Sequence, residues 1–397
     1  MITRARAAVL AVDPALALLG FIAFIAQIGI AVMLPLLPLF ATELGATPTV
    51  LGLLTSAFAV TNGIGQFGTG LLSDRWASRR FLSGGLAVYA SMNALIATAA
   101  SGGWLLLWRT MAGFGGGALI VTERLYLTEI TPRARLAFAN GILSAAASAG
   151  MVMGPAFGGL IAAIGGLRAP FVVVALTSGI ALVASLALPR GRRTASSAGE
   201  AKKVVVDESP DRAGIVALLL ANLAMLAGYG GFITTYAPLA TERLGWTTVD
   251  VGLAFSCFGA GSILLGPPLA HLADRTSRQA VAVLGIVPVI AFGLALVVGL
   301  PIWAVFGVAV LAGGGLTAFN ACWYALLADA SGTRARGRIF GIVSAVSNAG
   351  IVIGATIAAQ LWERVDLVAA MGSAVLATVI ALVPMLAFSA RRHPAGL

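Results

Sequence analysis

The nineteen residues Gly141-Ile-Leu-Ser-Ala-Ala-Ala-Ser-Ala-Gly150-Met-Val-Met-Gly154-Pro155-Ala-Phe-Gly158-Gly159 carry no charge. They return 200 positions later as Gly341-Ile-Val-Ser-Ala-Val-Ser-Asn-Ala-Gly350-Ile-Val-Ile-Gly354-Ala-Thr-Ile-Ala-Ala359. A helix needs about 20 apolar residues to cross the hydrocarbon core of a bilayer, so each copy reads as the body of one span. Glycines at every fourth position (Gly150, Gly154, Gly158) leave a smooth face that admits a neighbouring helix closely. Working outward, the same offset pairs Pro38-Leu39 with Pro238-Leu239, Leu44-Gly45 with Leu244-Gly245, and Gly52-Leu53 with Gly252-Leu253. It also pairs Asp74-Arg75 with Asp274-Arg275, Gly113 and Gly115 with Gly313 and Gly315, and Glu129 with Asp329. So many chemically specific coincidences at one spacing indicate a duplicated six-span unit.

Of the 397 residues, 59% are hydrophobic and only 10% charged. A soluble domain carries about 25% charged residues, so this chain could not cover a soluble surface of its size. The net charge of +10 would suit a nucleic-acid partner if it formed a stripe, but the basic residues sit in loops between apolar runs, and no nucleic-acid partner is expected. Cys257 and Cys322 lie inside apolar runs, and the chain has two histidines, so no metal site and no cofactor are expected. There is no phosphate loop and no Ser/His/Asp constellation at useful spacing; the reading is not an enzyme, with no catalytic residues, and not driven by ATP.

Apolar runs fall near 15–40, 50–72, 81–100, 104–127, 137–163 and 169–188, and again near 213–240, 250–272, 280–299, 302–327, 338–360 and 367–389. The expected fold is therefore all-α and membrane-embedded, with twelve transmembrane helices in two pseudo-symmetric six-helix bundles. Residues 1–188 form the first bundle, 189–212 a polar cytosolic linker, and 213–397 the second. Placing the N-terminus inside puts 21 of the 25 Lys and Arg in cytosolic segments. Only Arg168, Arg243 and Arg364 then fall outside, with Arg109 inside a span, a bias that follows the positive-inside rule. The expected location is the cell (inner) membrane with both termini cytoplasmic. The apolar run from Ala15 to Phe40 is too long for a signal peptide and reads as an uncleaved first span.

The loop after span 2 reads Gly70-Leu-Leu-Ser-Asp74-Arg75-Trp-Ala-Ser-Arg79-Arg80, and its counterpart after span 8 reads Ala270-His-Leu-Ala-Asp274-Arg275-Thr-Ser-Arg278. An acid beside several Arg at a helix end can latch neighbouring helices without full desolvation. The first loop resembles the signature of the major facilitator superfamily, G-x-L-a-D-R-x-G-R followed by Lys or Arg. Gly70, Leu72, Asp74, Arg75 and Arg79 match it; Ala77 and Ser78 replace a Gly and an Arg. In that family the missing Arg latches one conformation with an acid at the end of span 4, the position held here by Glu129. The resemblance implies Arg79 or Arg75 as partner of Glu129, and Arg278 as partner of Asp329.

Span 4 holds Arg109-Thr-Met-Ala-Gly113-Phe-Gly115. An Arg about five residues inside a span is costly and is a functional candidate by default. The segment resembles the family's R-x-x-q-G-x-g signature, whose Arg is associated with proton coupling. Helical geometry returns Glu123 to within about 40° of the Arg109 face, about 21 Å further along the axis. If Arg109 faces a cavity, Glu123 is expected to face it too, as the proton or cation site. Span 5 matches in full the g-x-x-x-G-P-x-x-G-G pattern of the superfamily's drug–proton antiporters, through Gly150, Gly154, Pro155, Gly158 and Gly159. Pro155 removes a backbone bond and bends the helix. The Pro35-x-x-Pro38 end of span 1 resembles the same twelve-span branch, although Gln27 stands where that branch often has an acid.

Polar residues expected to line a cavity are Gln27, Asn62, Gln66, Asn93, Asn222, Tyr229, Tyr236, Asn320, Trp323 and Tyr324. So few polar groups suit lipophilic or neutral substrates. The resemblance implies a monomeric, proton-coupled efflux antiporter of small lipophilic compounds, with protons, a small-molecule substrate and the lipid bilayer as partners. The same fold would also serve a sugar or metabolite exporter or importer. A non-transporting receptor would be expected to add a soluble domain or long tail.

Overall fold

The computed structural model describes residues 13–73, 77–132, 135–189 and 211–392, apart from the side chains of 137, 332–341 and 389–392. Asp74, Arg75 and linker positions 190–210 therefore lie outside the described residues. Among the described residues there is helix and no strand, the arrangement that satisfies every backbone polar group inside its own segment in hydrocarbon. Span 1 is Pro14–Met33, followed by a short helix Leu37–Glu43. Spans 2 to 6 are Pro48–Leu72, Ser78–Ala97, Gly102–Ile130, Leu136–Gly165 and Ala169–Ala187. Span 7, Arg212–Pro238, continues into a π-helical turn, Leu239–Arg243. Span 8 is Thr248–Leu264 with Gly266–Arg275 beyond it, and span 9 is Arg278–Val298. The helical run Ile302–Arg364 carries span 10 (Ile302–Ser331) and span 11 (Ile342–Arg364). Span 12 is Leu367–Ile380, extended by Leu382–Arg392. Eleven of these are long and apolar enough to cross a membrane. Span 3, with Arg79, Arg80, Ser83 and Asn93 in its 20 residues, is the more polar twelfth.

The duplication is visible in local geometry. Thr47 and Thr247 cap spans 2 and 8 by accepting from the Val50 and Asp250 N–H groups, and Asp250 returns a bond to the Thr247 N–H. Just upstream, Gly45 and Gly245 have φ of +73° and +69°, a left-handed backbone that favours glycine. Spans 2 and 4 approach so closely that a Cβ on Gly113 would overlap the Phe58 carbonyl; Gly313 stands in the same relation to Phe258 between spans 8 and 10. The first bundle packs around Leu19, Ile22, Phe40, Leu86, Tyr126 and Phe171. The second packs around Leu296, Met371, Phe319, Trp323 and Met385. Outward-facing Ile164, Phe67 and Trp303 are 82%, 70% and 75% exposed, as lipid-facing side chains should be.

Two equivalent seams join the bundles. Gly52 of span 2 meets Ala355 and Ala359 of span 11, and Gly252 of span 8 meets Pro155 and Gly159 of span 5. Polar ties reinforce both. Thr49 bonds Glu363 and accepts from Gln360 Nε2 at 3.4 Å. Thr248 Oγ1 donates to the Gly159 carbonyl at 3.1 Å, and the Ala156 N–H, beside the Pro155 bend, donates to Ser256 Oγ at 3.0 Å. These ties gather toward the end of the molecule that carries Thr49 and Glu363.

Candidate functional site

Between the bundles lies a cavity of about 990 Å³. Its wall is largely apolar and comes mainly from the second bundle, with Phe232, Phe255, Phe258, Phe292, Met225 and Met371 prominent; span 5 contributes Ser144, Ser148, Met151 and Val152. The lining runs from Phe232 and Met371 to Pro267 and Tyr324, toward the end that carries Asp274 and Asp329 and away from the tied end. A second cavity of about 140 Å³ is lined by Arg109, Asn62, Thr55, Tyr229, Asn348 and apolar neighbours. Leu34 and Tyr229 line both.

Of the ten polar residues expected at a cavity, Asn62, Asn222, Tyr229, Asn320 and Tyr324 line one. Asn222 also donates to Ser347 Oγ at 2.7 Å, tying spans 7 and 11. The other five are corrections. Trp323 is 1% exposed and donates to the Leu218 carbonyl at 2.8 Å. Tyr236 donates to the Val251 carbonyl at 2.8 Å and stacks on Phe232. Gln66 bonds Asn62 Oδ1 at 2.7 Å and accepts from Ser344 Oγ at 3.2 Å, joining the bundles. Asn93 is buried and donates to the Tyr89 carbonyl, and Gln27 faces the Met151 sulfur at 3.8 Å. The shared reason is that a polar group within a span is satisfied by a neighbouring helix as readily as by a cavity. Tyr236 stays within about 20° of the Tyr229 face but lies further along span 7, where its hydroxyl is taken by the Val251 carbonyl and its ring by Phe232 and Phe255.

Arg109 is 4% exposed, its guanidinium 3.9 Å from the centroid of the Phe58 ring, and one N–H points at the Met33 sulfur at 3.7 Å. Glu123 lines neither cavity, which corrects the expectation that it shares the Arg109 environment. The small cavity reaches span 4 only at Arg109, and Glu123 lies about three quarters of the way along the same helix. Among the described residues no hydrogen bond or ion pair reaches Glu123, and its neighbour Arg124 donates to Asn140 Oδ1 at 2.9 Å.

At the first latch, Glu129 accepts from the Ser78 hydroxyl at 2.5 Å, while Arg79 donates to the Leu186 carbonyl at 2.5 Å. An Arg79–Glu129 pair is therefore corrected: Arg79 lies one helix position on from Ser78 and points to span 6 instead. Arg75 and Asp74 lie outside the described residues, and Gly70 is exposed, its carbonyl bonded by Ser73. At the second latch, Arg278 bridges Asp274 at 2.9 Å and Asp329 at 3.2 Å; Arg275 is exposed and makes no ion pair among the described residues.

In span 5, Gly150, Gly154 and Gly158 pack on Phe24, Ile28, Ala31 and Val32 of span 1, and Gly159 packs on Thr248 of span 8. The glycine face thus holds the junction of spans 1, 5 and 8 at the closed seam. What sequence reasoning missed is the aromatic wall, because apolar side chains in an apolar helix give no signal of which ones face a cavity.

The sequence matches the profile of the Major Facilitator Superfamily over residues 19–239 and 217–397. It is 26% identical over 248 residues to the quinolone resistance protein NorA of Staphylococcus aureus, covering 61% of this chain and 63% of NorA. It is 29% identical over 252 residues to a chloramphenicol resistance protein of Streptomyces lividans, covering 63% and 64%. The chain thus spans less than two thirds of the length of these curated relatives. A bacterial homologue of the human lysosomal transporter Spinster, in an inward-facing and unoccupied conformation, is similar in fold (TM-score 0.75, 17% identity, 96% of this chain and 98% of that one). The nucleoside transporter NupG is similar likewise (TM-score 0.77, 12% identity, 95% and 99%). Two six-helix bundles, the paired loops and span 5, and the profile match over both halves all lead to one family: the chain is a multi-pass membrane protein of the major facilitator superfamily.

Proposed function

We propose that the chain is a secondary active transporter that exports small lipophilic compounds by alternating access, coupled to proton entry. The observation that carries this reading is the 990 Å³ aromatic cavity between bundles sealed at one end by the two seams. Ligand cavities of about 300–1,000 Å³ with mostly apolar walls suit drug-sized molecules. The names of the relatives, resistance proteins for quinolones and chloramphenicol, support the export direction. In this reading the rocking units are residues 1–188 and 213–397, joined by the 189–212 linker. Both termini are cytosolic, the chain works as a monomer in the cell membrane, and the cavity opens inward. The seams separate on the outward stroke, with Gly159 and Gly252 as pivots and the two loop latches holding the other end.

Proton coupling is assigned to Glu123, acting through span 4 and not from the cavity wall. Glu123→Gln should abolish transport driven by a pH gradient in proteoliposomes and leave substrate binding intact; undiminished pH-driven transport removes it as the proton carrier. The transport reading itself is tested by movement of lipophilic dyes in proteoliposomes under an imposed pH gradient. No movement of any dye against its gradient would refute it.

A further inference from the structure

Among the described residues Arg109 is the single charged side chain lining either cavity, and no Asp or Glu lines the larger or the smaller one. Its guanidinium is buried, and Nε has no hydrogen-bond partner among the described residues. A thioether, an aromatic face and the buried hydroxyl of Tyr89 replace only part of the hydration a guanidinium loses on burial. The equivalent position in the second half is Ala309, which is fully buried, so the helix packing of this fold does not require an Arg there. The hydroxyl of Tyr229 belongs to the same small cavity and makes no hydrogen bond among the described residues, and Thr55 with the amides of Asn62 and Asn348 completes the polar wall. Because Tyr229 and Leu34 line both cavities, the small one is a cationic annexe to the large apolar one.

We propose that this annexe receives the carboxylate of a lipophilic weak acid, with Arg109 and Tyr229 as donors and the apolar body of the compound in the aromatic cavity. This rests on the transport reading and narrows its substrate class from lipophilic compounds in general to amphipathic anions. The chemistry is complementary on both sides: a guanidinium is a strong donor to a carboxylate, and the anion supplies the missing countercharge. A cationic compound of the same shape would bring a like charge to Arg109 with no acid to offset it.

The test uses the full chain in lipid nanodiscs and a matched series: naphthoate, naphthamide and naphthylmethylammonium, titrated calorimetrically. Naphthoate should bind at least about tenfold more tightly than the amide, with the ammonium weakest. Arg109→Gln should erase the preference and Arg109→Lys should keep part of it. Tyr229→Phe should weaken naphthoate about threefold to tenfold and leave the amide unchanged. Equal affinities in the wild-type chain, or a preference that survives Arg109→Gln, overturn the proposal. Should Arg109→Gln not fold, the wild-type series and Tyr229→Phe decide it. Naphthoate that binds but is never moved in proteoliposomes refutes transport and leaves the annexe standing. Neutral compounds moved with no preference for the anion refute the annexe and leave transport standing.

Discussion

Ser78 and Arg278 occupy the same place in the two halves, at the start of spans 3 and 9, and each reaches an acid at the end of the next span, Glu129 or Asp329. The first contact is a neutral hydroxyl donating to a carboxylate at 2.5 Å from a residue 2% exposed. The second is an ion pair at 3.2 Å whose side chains are 41% and 48% exposed. Position was kept through the duplication while chemistry followed burial: a small hydroxyl fits where a guanidinium would have to be desolvated, and an Arg serves where water still reaches it. The same divergence runs through the spans. Arg109 corresponds to Ala309, Glu123 to Trp323 and Pro155 to Ala355. The first half carries the buried Arg and the proline within span 5; the second carries most of the aromatic wall. What remained alike is the close backbone packing, at Gly85 with Gly115 and at Gly285 with Gly315.

The largest effects are expected where this likeness is steric. Gly252→Val would drive a side chain into the Pro155 carbonyl, and Gly52→Val would do the same at the Ala355 carbonyl. Overpacking costs about 1–3 kcal/mol, so each variant should lose about tenfold or more of transport in proteoliposomes. Near-normal transport by Gly52→Val beside a dead Gly252→Val would show that the seams are not equivalent. Next comes the buried latch: Ser78→Ala should lower stability by about 1.5–3 kcal/mol, the range for hydrogen bonds to charged groups, read as a fall in Tm. The exposed latch should matter less. Arg278→Ser should cost about 0.2–1 kcal/mol and its effect should fade in high salt. A greater loss from Arg278→Ser than from Ser78→Ala would invert the ranking by burial. Smallest is Asp274→Asn, which removes an i,i+4 partner worth about 0.3–0.5 kcal/mol; a drop in Tm as large as that of Arg278→Ser would assign the whole latch to that one pair.

Legibility followed the same physical line. The helices, their count and the recurrence of Gly45 at Gly245 are legible in the chain because each depends on local composition and spacing; the left-handed backbone at both glycines is seen only in the structure. Asn222 and Tyr229, seven residues apart, line the large cavity, whereas Tyr236 on the same stripe does not, since the cavity gives way there to a packed aromatic cluster. Trp323, polar enough in sequence to suggest a lining residue, is a buried strut, whereas Phe255 and Phe292, which give no polar signal, form the wall. The arginine-rich loop points to an Arg partner for Glu129, whereas the Ser that stands in place of one makes the contact.

The sequence by itself determined twelve spans, the duplication and the loop charge asymmetry, because apolar length and flanking charge act segment by segment against the bilayer. Only the tertiary structure decided which face of each span meets a cavity, that Arg109 lines the smaller one while Glu123 lines neither, and that the first latch is a hydroxyl and the second an ion pair. The reason is that the rotation of a membrane helix is set by the neighbours it packs against, and those neighbours belong to other spans, as where Phe58 lies against Gly113 and Gly85 against Gly115.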